Sequence, residues 1–395
     1  MSYPSSDNQI IGNPGILNLN AGVVLNSRQS KTPCGDDNWV RSSVSAVRYL
    51  VDKGSPVIVS VGMNIWELTL WAVSSLSGDC VILLPGRKES DFQTRCDSVI
   101  RDFNLKSEKA VFVGVTVDSH KRGAKNWWDE RDKLAFDMAY EITPVSIRDT
   151  GRWSGMLQSP DISRKKLNNS FRVKYKEKGK VSKLAIEMPS CGIIHDWDFV
   201  THWTKRSYGP FPSERPYDYY SDIVSSGDKY ARDAEAALVN IITTGKIYGS
   251  LGNVKGGSAA VSFTGLAPSD AVKLMTWRKR KVCYTFEPYG IAIRKSAAIN
   301  SGIKPVLYIK REKTNVKREK NNPIDNTHAD PDEFNTPDEL TQGYSKGEWF
   351  REDEYRYIGD LDLNIFDADD IRVLVPNEEA RDRIQNITKF EVMPL

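Results

Sequence analysis

Three short segments in the second half of the chain combine residue types that can do chemistry. His202 and Thr204 follow an apolar stretch two residues apart, and Ser262 and Thr264 repeat that spacing on a second apolar stretch. Residues two apart share one face of a β-strand, so each pair can line a pocket. Glu354 opens a later apolar stretch. A carboxylate in a desolvated pocket can stabilise positive charge on a reacting sugar or activate water.

A second glutamate, Glu352, competes with Glu354 for this role. The two share one face if the segment is extended, and Glu354 is preferred because it is closer to the predicted strand. An exposed ion-pair network with Arg351 and Arg356 is the alternative interpretation of both glutamates. His202 has an alternative too, as a core histidine hydrogen-bonded to a neighbouring carbonyl.

The elements around these residues predict an α+β domain over residues 189–395. The run 233–244 has an amphipathic helical pattern, and Gly245 is its expected left-handed cap. The strands are short and separated by turn signals, without regular βαβ alternation. Residues 312–345 are polar, charged and proline-containing, which predicts a flexible loop.

The first half of the chain shows a different pattern. Short apolar strands at 56–62, 79–86 and 110–117 alternate with helical stretches, which indicates a parallel sheet covered on both faces. We therefore expect a Rossmann-like α/β domain over residues 36–150, preceded by an extended lead-in over residues 1–35. Ligand sites in such sheets lie at the carboxyl ends of the strands.

A basic segment, residues 151–188, connects the two predicted domains. Its alternating pattern predicts a two-stranded ribbon that turns near Gly179. Such a ribbon can bind a phosphate backbone, or it can be a solvated hairpin whose charges protect a sheet edge. The basic residues predicted to contact nucleic acid are Arg164, Lys165, Lys166, Arg172, Lys174, Lys176, Lys178 and Lys180.

Composition excludes several classes of protein. The 395 residues are 39% apolar with a net charge of +3, close to average for a folded protein, so collagen, coiled coils and wholesale disorder are excluded. No apolar stretch approaches a membrane span, and the start lacks the features of a secretory leader, so we expect a cytoplasmic protein without a membrane partner. Five cysteines without a C-x-x-C pair predict reduced thiols and no metal site.

The turn after the first predicted parallel strand resembles a known family. Gly62-x-Asn64-x-x-Glu67 is similar to the corresponding turn of SLOG proteins, Rossmann-like nucleotide-binding domains of DNA-processing and defence proteins. The resemblance implies that this turn binds a nucleotide. Neither G-x-G-x-x-G nor a P-loop motif is present, and a strand-glycine-helix junction also occurs in βαβ units that bind nothing.

The second half resembles the ADP-ribosyltransferase fold. The H-x-T strand, the helix ending at Gly245, the S-x-T strand and a late glutamate occur in that order, and residues 195–375 are most similar to DarT-type and AbiGi-related proteins. The resemblance implies a mixed α+β domain that takes NAD as cofactor and transfers ADP-ribose to a DNA or RNA base in phage defence or DNA modification. DNA or RNA would be the substrate, alongside partner proteins of a defence or modification cluster.

The resemblance also implies roles for individual residues. His202 and Thr204 would hold NAD, Ser262 and Thr264 would line the nicotinamide pocket, and either Glu352 or Glu354 would be catalytic. In addition, the nicotinamide ring would stack on Tyr289, while Arg294 or Arg278 would replace an arginine of the DarT branch.

Two other functions remain open at this stage. A DpdC-type protein would hydrate the nitrile of 7-cyano-7-deazaguanine in DNA without NAD, with Cys191 or Cys283 as nucleophile, although free cysteines are more often small buried residues. A non-catalytic sensor would bind a nucleotide or nucleic acid at the Gly62 turn.

Overall fold

The chain forms two compact units, each continuous in space but not in sequence. A computed structural model describes residues 8–86, 89–116, 124–176, 186, 189, 196–251, 257–279, 281–310, 340–344 and 353–395. The first unit comprises Met1–Lys180 and Tyr208–Ala231, and the second comprises Val181–Ser207 and Arg232–Leu395. The segment 208–231, expected in the C-terminal domain, therefore belongs to the first unit.

The first unit is built on a mostly parallel sheet. Its strands are β1 (Ile10–Gly12), β2 (Gly22–Asn26), β3 (Val57–Ser60), β4 (Cys80–Pro85), β5 (Ala110–Val115), β6 (Glu141–Ser146) and β7 (Lys166–Leu167). The described strands lie in the order β1-β5-β4-β3-β2-β6-β7, and only β1 is antiparallel to its neighbour. Strands β2 to β5 are buried along almost their whole length, which explains their continuous apolar sequences.

Helices accompany this sheet. They are α1 (Asn38–Asp52), α2 (Asn64–Ser75), α3 (Glu89–Asp102), α4 (Ala124–Met138), α5 (Arg152–Leu157) and α6 (Pro216–Ser225). Helix α6 joins the first unit through the hydrogen bond of the Trp71 indole to the Ser221 hydroxyl, at 2.9 Å, and through the buried side chains of Tyr220 and Ile223.

The order of the strands corrects the interpretation of residues 1–35 as a lead-in. Strand β2 lies inside the sheet with all five residues buried, between β3 and β6. From β2 the chain moves outward through β3, β4 and β5, and then returns to the other side of β2 with β6. The crevice outside the carboxyl ends of the strands at such a reversal is where ligands bind in open parallel sheets.

The second unit contains a mixed sheet. Its strands are β8 (Phe199–Trp203), β9 (Lys246–Ile247), β10 (Ala260–Thr264), β11 (Trp277–Arg278), β12 (Cys283–Tyr284), β13 (Gly290–Arg294), β14 (Lys304–Pro305), β15 (Leu307–Lys310), β16 (Thr341–Tyr344), β17 (Glu354–Ile358), β18 (Leu361–Asp362), β19 (Ile371–Val375) and β20 (Glu391–Pro394). The main sheet has the order β14-β17-β10-β8-β13-β19-β20, with a single parallel pair, β19 and β20, among its described strands.

The helices of the second unit include the one predicted from its pattern. They are α7 (Ala234–Thr244), α8 (Pro268–Ala271), α9 (Lys295–Asn300) and α10 (Glu378–Gln385). Helix α7 starts where the Asp233 carboxylate accepts a hydrogen bond from the Ala236 amide and ends at Gly245, whose φ is +66°. The predicted capped helix is therefore confirmed.

The predicted loop and the predicted ribbon both differ in part from the structure, and parts of both lie outside the described residues. Of the expected loop over residues 312–345, residues 341–344 form β16, which pairs in parallel with β15. Residues 311–339 lie outside the described part. The expected ribbon has no strand over residues 171–176, and its turn near Gly179 also lies outside the described residues.

The described part of the chain has neither a helix suited to a membrane nor a cluster of metal-binding side chains. No described helix combines the length and apolar character needed to cross a membrane. Among the same residues, no group of three or more histidines, cysteines, aspartates or glutamates could hold a metal ion.

Candidate functional site

A cavity of about 460 Å³ opens in the first unit at the carboxyl ends of β2 and β3. Its size is within the range of small-molecule sites. The loop after β2 lines one side with Arg28 and Lys31, and the turn from β3 into α2 lines another with Gly62 and Asn64. Aromatic side chains from α4 and from the segment 208–231 complete the wall, namely Trp128, Tyr208, Tyr219 and Tyr220.

The turn from β3 into α2 is fixed by Glu67. One Glu67 oxygen accepts the Gly62 amide hydrogen at 2.8 Å, and the other accepts the Tyr220 hydroxyl at 2.9 Å. Burial and the Glu67 charge together raise the pKa of Tyr220 well above its ordinary value, so the phenol stays protonated and keeps donating. Glu67 therefore uses both oxygens to hold the shape of the cavity.

Gly62 leaves the middle of this turn open. Its φ is +92°, a conformation that favours glycine, and a Cβ added there would meet nothing within 4 Å. The adjacent loop is fixed by Asn64, whose side-chain amide donates to the Ser30 carbonyl at 2.6 Å. The amino end of α2, beside this opening, carries the partial positive charge of a helix N-terminus.

The cations of the cavity form no ion pair with any residue that the structure describes. Arg28 is exposed, and its guanidinium has neither an ion pair nor a hydrogen bond with any residue that the structure describes. Lys31 is exposed as well, with its ammonium 5.1 Å from the centre of the Tyr208 ring. Glu67 supplies one negative charge to the cavity lining, so Arg28 and Lys31 leave the cavity with a net positive charge.

The structure divides the predicted basic segment into two groups. Lys165 donates to the carbonyls of Asp137 and Ala139 at 2.7 and 2.8 Å, and burial lowers its pKa. Lys166 lies 3.2 Å from the buried carboxylate of Glu141. These two lysines therefore hold the end of α4 and the start of β6.

The second group forms an exposed row. Arg172, Lys174 and Lys176 are exposed and alternate with the partly buried Phe171, Val173 and Tyr175, of which Phe171 and Val173 pack against the core of the first unit. We call Arg172, Lys174 and Lys176 the basic row. Arg164 is exposed outside this row, and Lys178 and Lys180 lie outside the described residues.

Two contacts fix the basic row to the sheet. The Val173 amide donates to the Val145 carbonyl on β6 at 2.9 Å. The Tyr175 hydroxyl donates to the carbonyl of Arg28, also at 2.9 Å. The row therefore runs along β6 toward the carboxyl edge and ends at the loop that lines the cavity.

In the second unit, the strand register separates the residues that the resemblance to ADP-ribosyltransferases groups together. Thr264 on β10 lies opposite both Thr201 on β8 and Glu354 on β17, so these side chains share one face of the sheet with Ser262. The next residue on β8, His202, lies on the other face, with its ring 5.8 Å from the Phe263 ring. His202 and Glu354 are thus on opposite faces.

His202 and Thr204 are both engaged with backbone carbonyls. The His202 Nδ1 lies 2.9 Å from the Ser262 carbonyl, and burial lowers the pKa of its imidazole. A neutral ring that donates from Nδ1 satisfies this contact. The Thr204 hydroxyl is buried within 3.0 and 3.1 Å of the carbonyls of Ala234 and Tyr289.

The other predicted pocket residues of the second unit also have partners within the fold. Tyr289 donates to Glu235 at 3.0 Å, and burial followed by the Glu235 charge raises its pKa. Arg294 donates to Asp370 at 2.8 Å. Thr264 accepts a hydrogen bond from the Leu266 amide at 3.2 Å, whereas Ser262 is exposed.

The remaining candidates include one buried ion pair. Glu354 lies 2.8 Å from Arg356, and both side chains are largely buried. On the same face, the Thr201 hydroxyl is buried and has no hydrogen-bond partner among the residues that the structure describes. Cys283 is buried on β12, and Glu352 and Cys191 lie outside the described residues.

Sequence reasoning identified one side of the first-unit cavity and missed the other. The Gly62–Glu67 turn was recognised because it follows an apolar strand. Arg28 and Lys31 follow β2 in the same way, but the polar residues around β2 led to its interpretation as a lead-in. Nothing in the local pattern of residues 208–220 signals that their aromatic side chains line this cavity.

No family model and no curated protein sequence matches the chain. A solved structure of DNA processing protein A from Helicobacter pylori, described for its single-stranded DNA binding mode, is similar at 10% identity and a TM-score of 0.27. The similarity covers 37% of this chain and 63% of that protein, less than two thirds of its length. A TM-score of this size does not establish a shared fold.

Proposed function

We propose that this protein binds a phosphorylated nucleoside, free or within nucleic acid, in the cavity of its first unit. The observation that carries the proposal is that Arg28 and Lys31 flank an open glycine turn at the carboxyl edge while their charges have no acidic partner among the described residues. Two cations beside a helix N-terminus favour a phosphate group.

The aromatic wall supports a ring as the second part of the ligand. Trp128 is 41% exposed at the cavity, which leaves an indole surface available for stacking. Tyr208 lies under the Lys31 ammonium, so a base that stacks there would meet both an aromatic face and a cation. Phosphate, ring and cavity size together fit one nucleotide.

The strand order is a further support. The cavity lies beside the reversal at β2, the position where Rossmann-like sheets bind nucleotides. A Rossmann-like, SLOG-related assignment of the first unit is therefore part of the proposal, although Gly62 donates its amide hydrogen to Glu67 and not to a ligand.

Calorimetry with AMP, ADP and NAD tests the proposal. Wild-type protein should bind at least one of them, and Arg28→Ala should weaken that binding by roughly tenfold, the value of a charge-assisted hydrogen bond. Lys106→Ala removes an exposed lysine at the amino end of β5 and should change nothing. Equal affinity in wild type and an Arg28→Ala/Lys31→Ala variant would refute the proposal.

A second candidate function is transfer of ADP-ribose to a nucleic-acid base in the second unit. The observation that favours it is the shared face of Ser262, Thr264 and Glu354, next to the Thr201 hydroxyl, which has no partner within the described ranges. The bond between ribose and nicotinamide would break, a bond from the ribose to the base would form, and nicotinamide and a proton would leave. The Glu354 carboxylate would offset the positive charge on the ribose.

This candidate has its own test. Labelled NAD and an oligonucleotide should give labelled nucleic acid, Glu354→Gln should abolish the labelling, and Glu379→Gln, at an exposed glutamate of α10, should not. Because His202 lies on the opposite face, His202→Ala should retain labelling. Labelling that survives Glu354→Gln would rule this candidate out.

A further inference from the structure

We infer that the ligand of the cavity is one nucleotide of a single-stranded nucleic acid, whose adjoining phosphates lie along the basic row of Arg172, Lys174 and Lys176. The inference rests on the proposed function, because it takes the cavity as a nucleotide site. It adds the substrate class and the path of the rest of the substrate.

The first support is the geometry of the basic row. Its three side chains are exposed at alternate positions, while Phe171 and Tyr175 pack inward, with the Phe171 ring 5.6 Å from that of Tyr49. Alternate residues of an extended chain are about 6.6 Å apart on one face. This spacing is comparable to the distance between successive phosphates in an extended single-stranded nucleic acid.

The second support is the absence of internal partners for the row. No ion pair joins Arg172, Lys174 or Lys176 to any residue in the described ranges. Lys165 and Lys166, a few residues earlier, are held by carbonyls and by Glu141. A polyanion can therefore approach the row without first breaking a protein contact.

The third support is continuity with the cavity. The hydrogen bond from Tyr175 to the Arg28 carbonyl joins the end of the row to the loop that lines the cavity. Arg28 and Lys31 lie on that loop and add two cations to those of the row. A single-stranded nucleic acid that follows these cations passes the exposed ring of Trp128, where a base can stack.

A single strand fits this path better than a duplex. A base inside a cavity of about 460 Å³ must be unpaired and unstacked. A duplex would have to extrude that base at an energetic cost, whereas a single strand presents it directly. DNA and RNA share the phosphate chemistry that the row would recognise.

Fluorescence anisotropy of labelled oligonucleotides tests the inference on the full chain. The probes are a twelve-nucleotide oligo-dT, the matching oligo-rU and a duplex of the same length, each titrated at several salt concentrations. Arg172→Ala/Lys174→Ala/Lys176→Ala should weaken single-strand binding at least tenfold. It should also reduce the slope of log affinity against log salt by about 2, since each phosphate contact with a single strand contributes about 0.7.

A matched control removes the same charge elsewhere in the first unit. Arg95, Arg101 and Lys106 are exposed on and after α3, and their triple alanine variant should bind the single strands as wild type does. AMP affinity should be unchanged in the basic-row variant. Whichever of oligo-dT and oligo-rU binds more tightly identifies the source of the strand, and either result supports the inference.

The outcomes separate this inference from the proposed function. If the basic-row variant keeps the wild-type affinity and salt slope, or if the duplex binds as tightly as the single strands, the inference is overturned. If AMP binds through Arg28 but oligonucleotides bind no more tightly than AMP, the inference fails and the proposed function stands. If neither AMP nor any oligonucleotide binds, the proposed function itself has failed.

Discussion

The carboxyl edge of the first unit and the main sheet of the second unit both carry residues that can do chemistry, but they use them differently. In the second unit, Thr204, Tyr289 and Arg294 are each bound to another group of the same unit. At the edge of the first unit, Arg28 and the basic row have no such partner among the described residues. Residue type alone therefore does not mark a site, and a cation without an ion-pair partner at an open edge is the more specific sign.

The same contrast occurs within the basic segment. Lys165 lies where the carbonyls at the end of α4 need donors, and burial lowers its pKa. Lys174 lies on an extended stretch whose alternate residues face solvent. The sequence shows the two lysines as equivalent, and only the tertiary structure separates a lysine of the fold from a lysine available to a ligand.

The largest effect is expected for the buried ion pair of the second unit. Glu354→Ala leaves the Arg356 guanidinium buried without its carboxylate, and the free energy of unfolding should fall by about 3 kcal/mol. Urea denaturation of the purified chain measures this. Glu354→Leu combined with Arg356→Leu should recover most of the loss, because both buried charges are then removed together. An unchanged unfolding curve for Glu354→Ala would show that this face is open to ligands and would weaken the comparison.

Charge reversal at the cavity should have the next largest effect, on binding and not on folding. Arg28→Glu/Lys31→Glu should weaken nucleotide affinity by roughly a hundredfold, since two attractive contacts become repulsive. The unfolding curve should match that of the wild type because both side chains are exposed. Calorimetry and urea denaturation of the same preparation separate the two effects. If the variant lost stability but kept its nucleotide affinity, Arg28 and Lys31 would serve folding and not binding, which would contradict the comparison of the two units.

A pH effect of intermediate size is expected at Glu141. Burial alone would raise the pKa of this carboxyl, but hydrogen bonds from Lys53 and Lys166 lower it below its ordinary value. Its contribution to stability is therefore complete above the unfolded pKa of about 4.3 and is lost as the pH falls through the lower folded pKa. Glu141→Gln should reduce stability by about 1–2 kcal/mol at pH 7.

The measurement for Glu141 is the free energy of unfolding at pH 7 and near pH 3.5. The difference between wild type and Glu141→Gln should shrink at the lower pH, while the exposed Glu108→Gln should follow the wild type at both. A difference that stays constant across this range would mean that the charge of Glu141 does not support the fold.

The smallest effect is expected at His202. Burial lowers its pKa, so below pH 6.5 the unfolded chain takes up a proton that the folded chain does not. Stability should therefore fall by less than about 1 kcal/mol between pH 7 and pH 6, and His202→Gln should remove that part of the fall. Thermal unfolding at both pH values measures it. If His202→Gln is as sensitive to pH as wild type, the His202 imidazole is not held neutral by the fold.

Local patterns predicted much of the fold. The apolar runs at 56–62, 79–86 and 110–117 contain β3, β4 and β5, and the capped helix is α7. These predictions succeed because burial on both faces and a left-handed glycine leave a local signature in the sequence. Strand β2 is just as buried and is one residue longer than β3, but polar residues flank it.

The candidate site was less predictable. The turn at Gly62 has a local signature, whereas Tyr208 and Tyr220 reach the cavity only because a distant segment packs on α2 through Trp71 and Glu67. Similarly, His202 and Glu354 were grouped by their order along the chain, and the strand register then separated them. Contacts between distant segments determine both the aromatic wall of the cavity and the faces of His202 and Glu354. The spacing of residues along the sequence carries no information about such contacts.

Photo-crosslinking compares the two regions most directly. Oligo-dT that carries one 5-iodouracil would be bound to the full chain, irradiated, digested and analysed by mass spectrometry. We predict adducts on Trp128 or Tyr208 at the first-unit cavity, lost in Arg28→Glu/Lys31→Glu. Adducts confined to aromatic residues of the second unit, such as Trp203 or Tyr284, and unaffected by that variant would contradict the account.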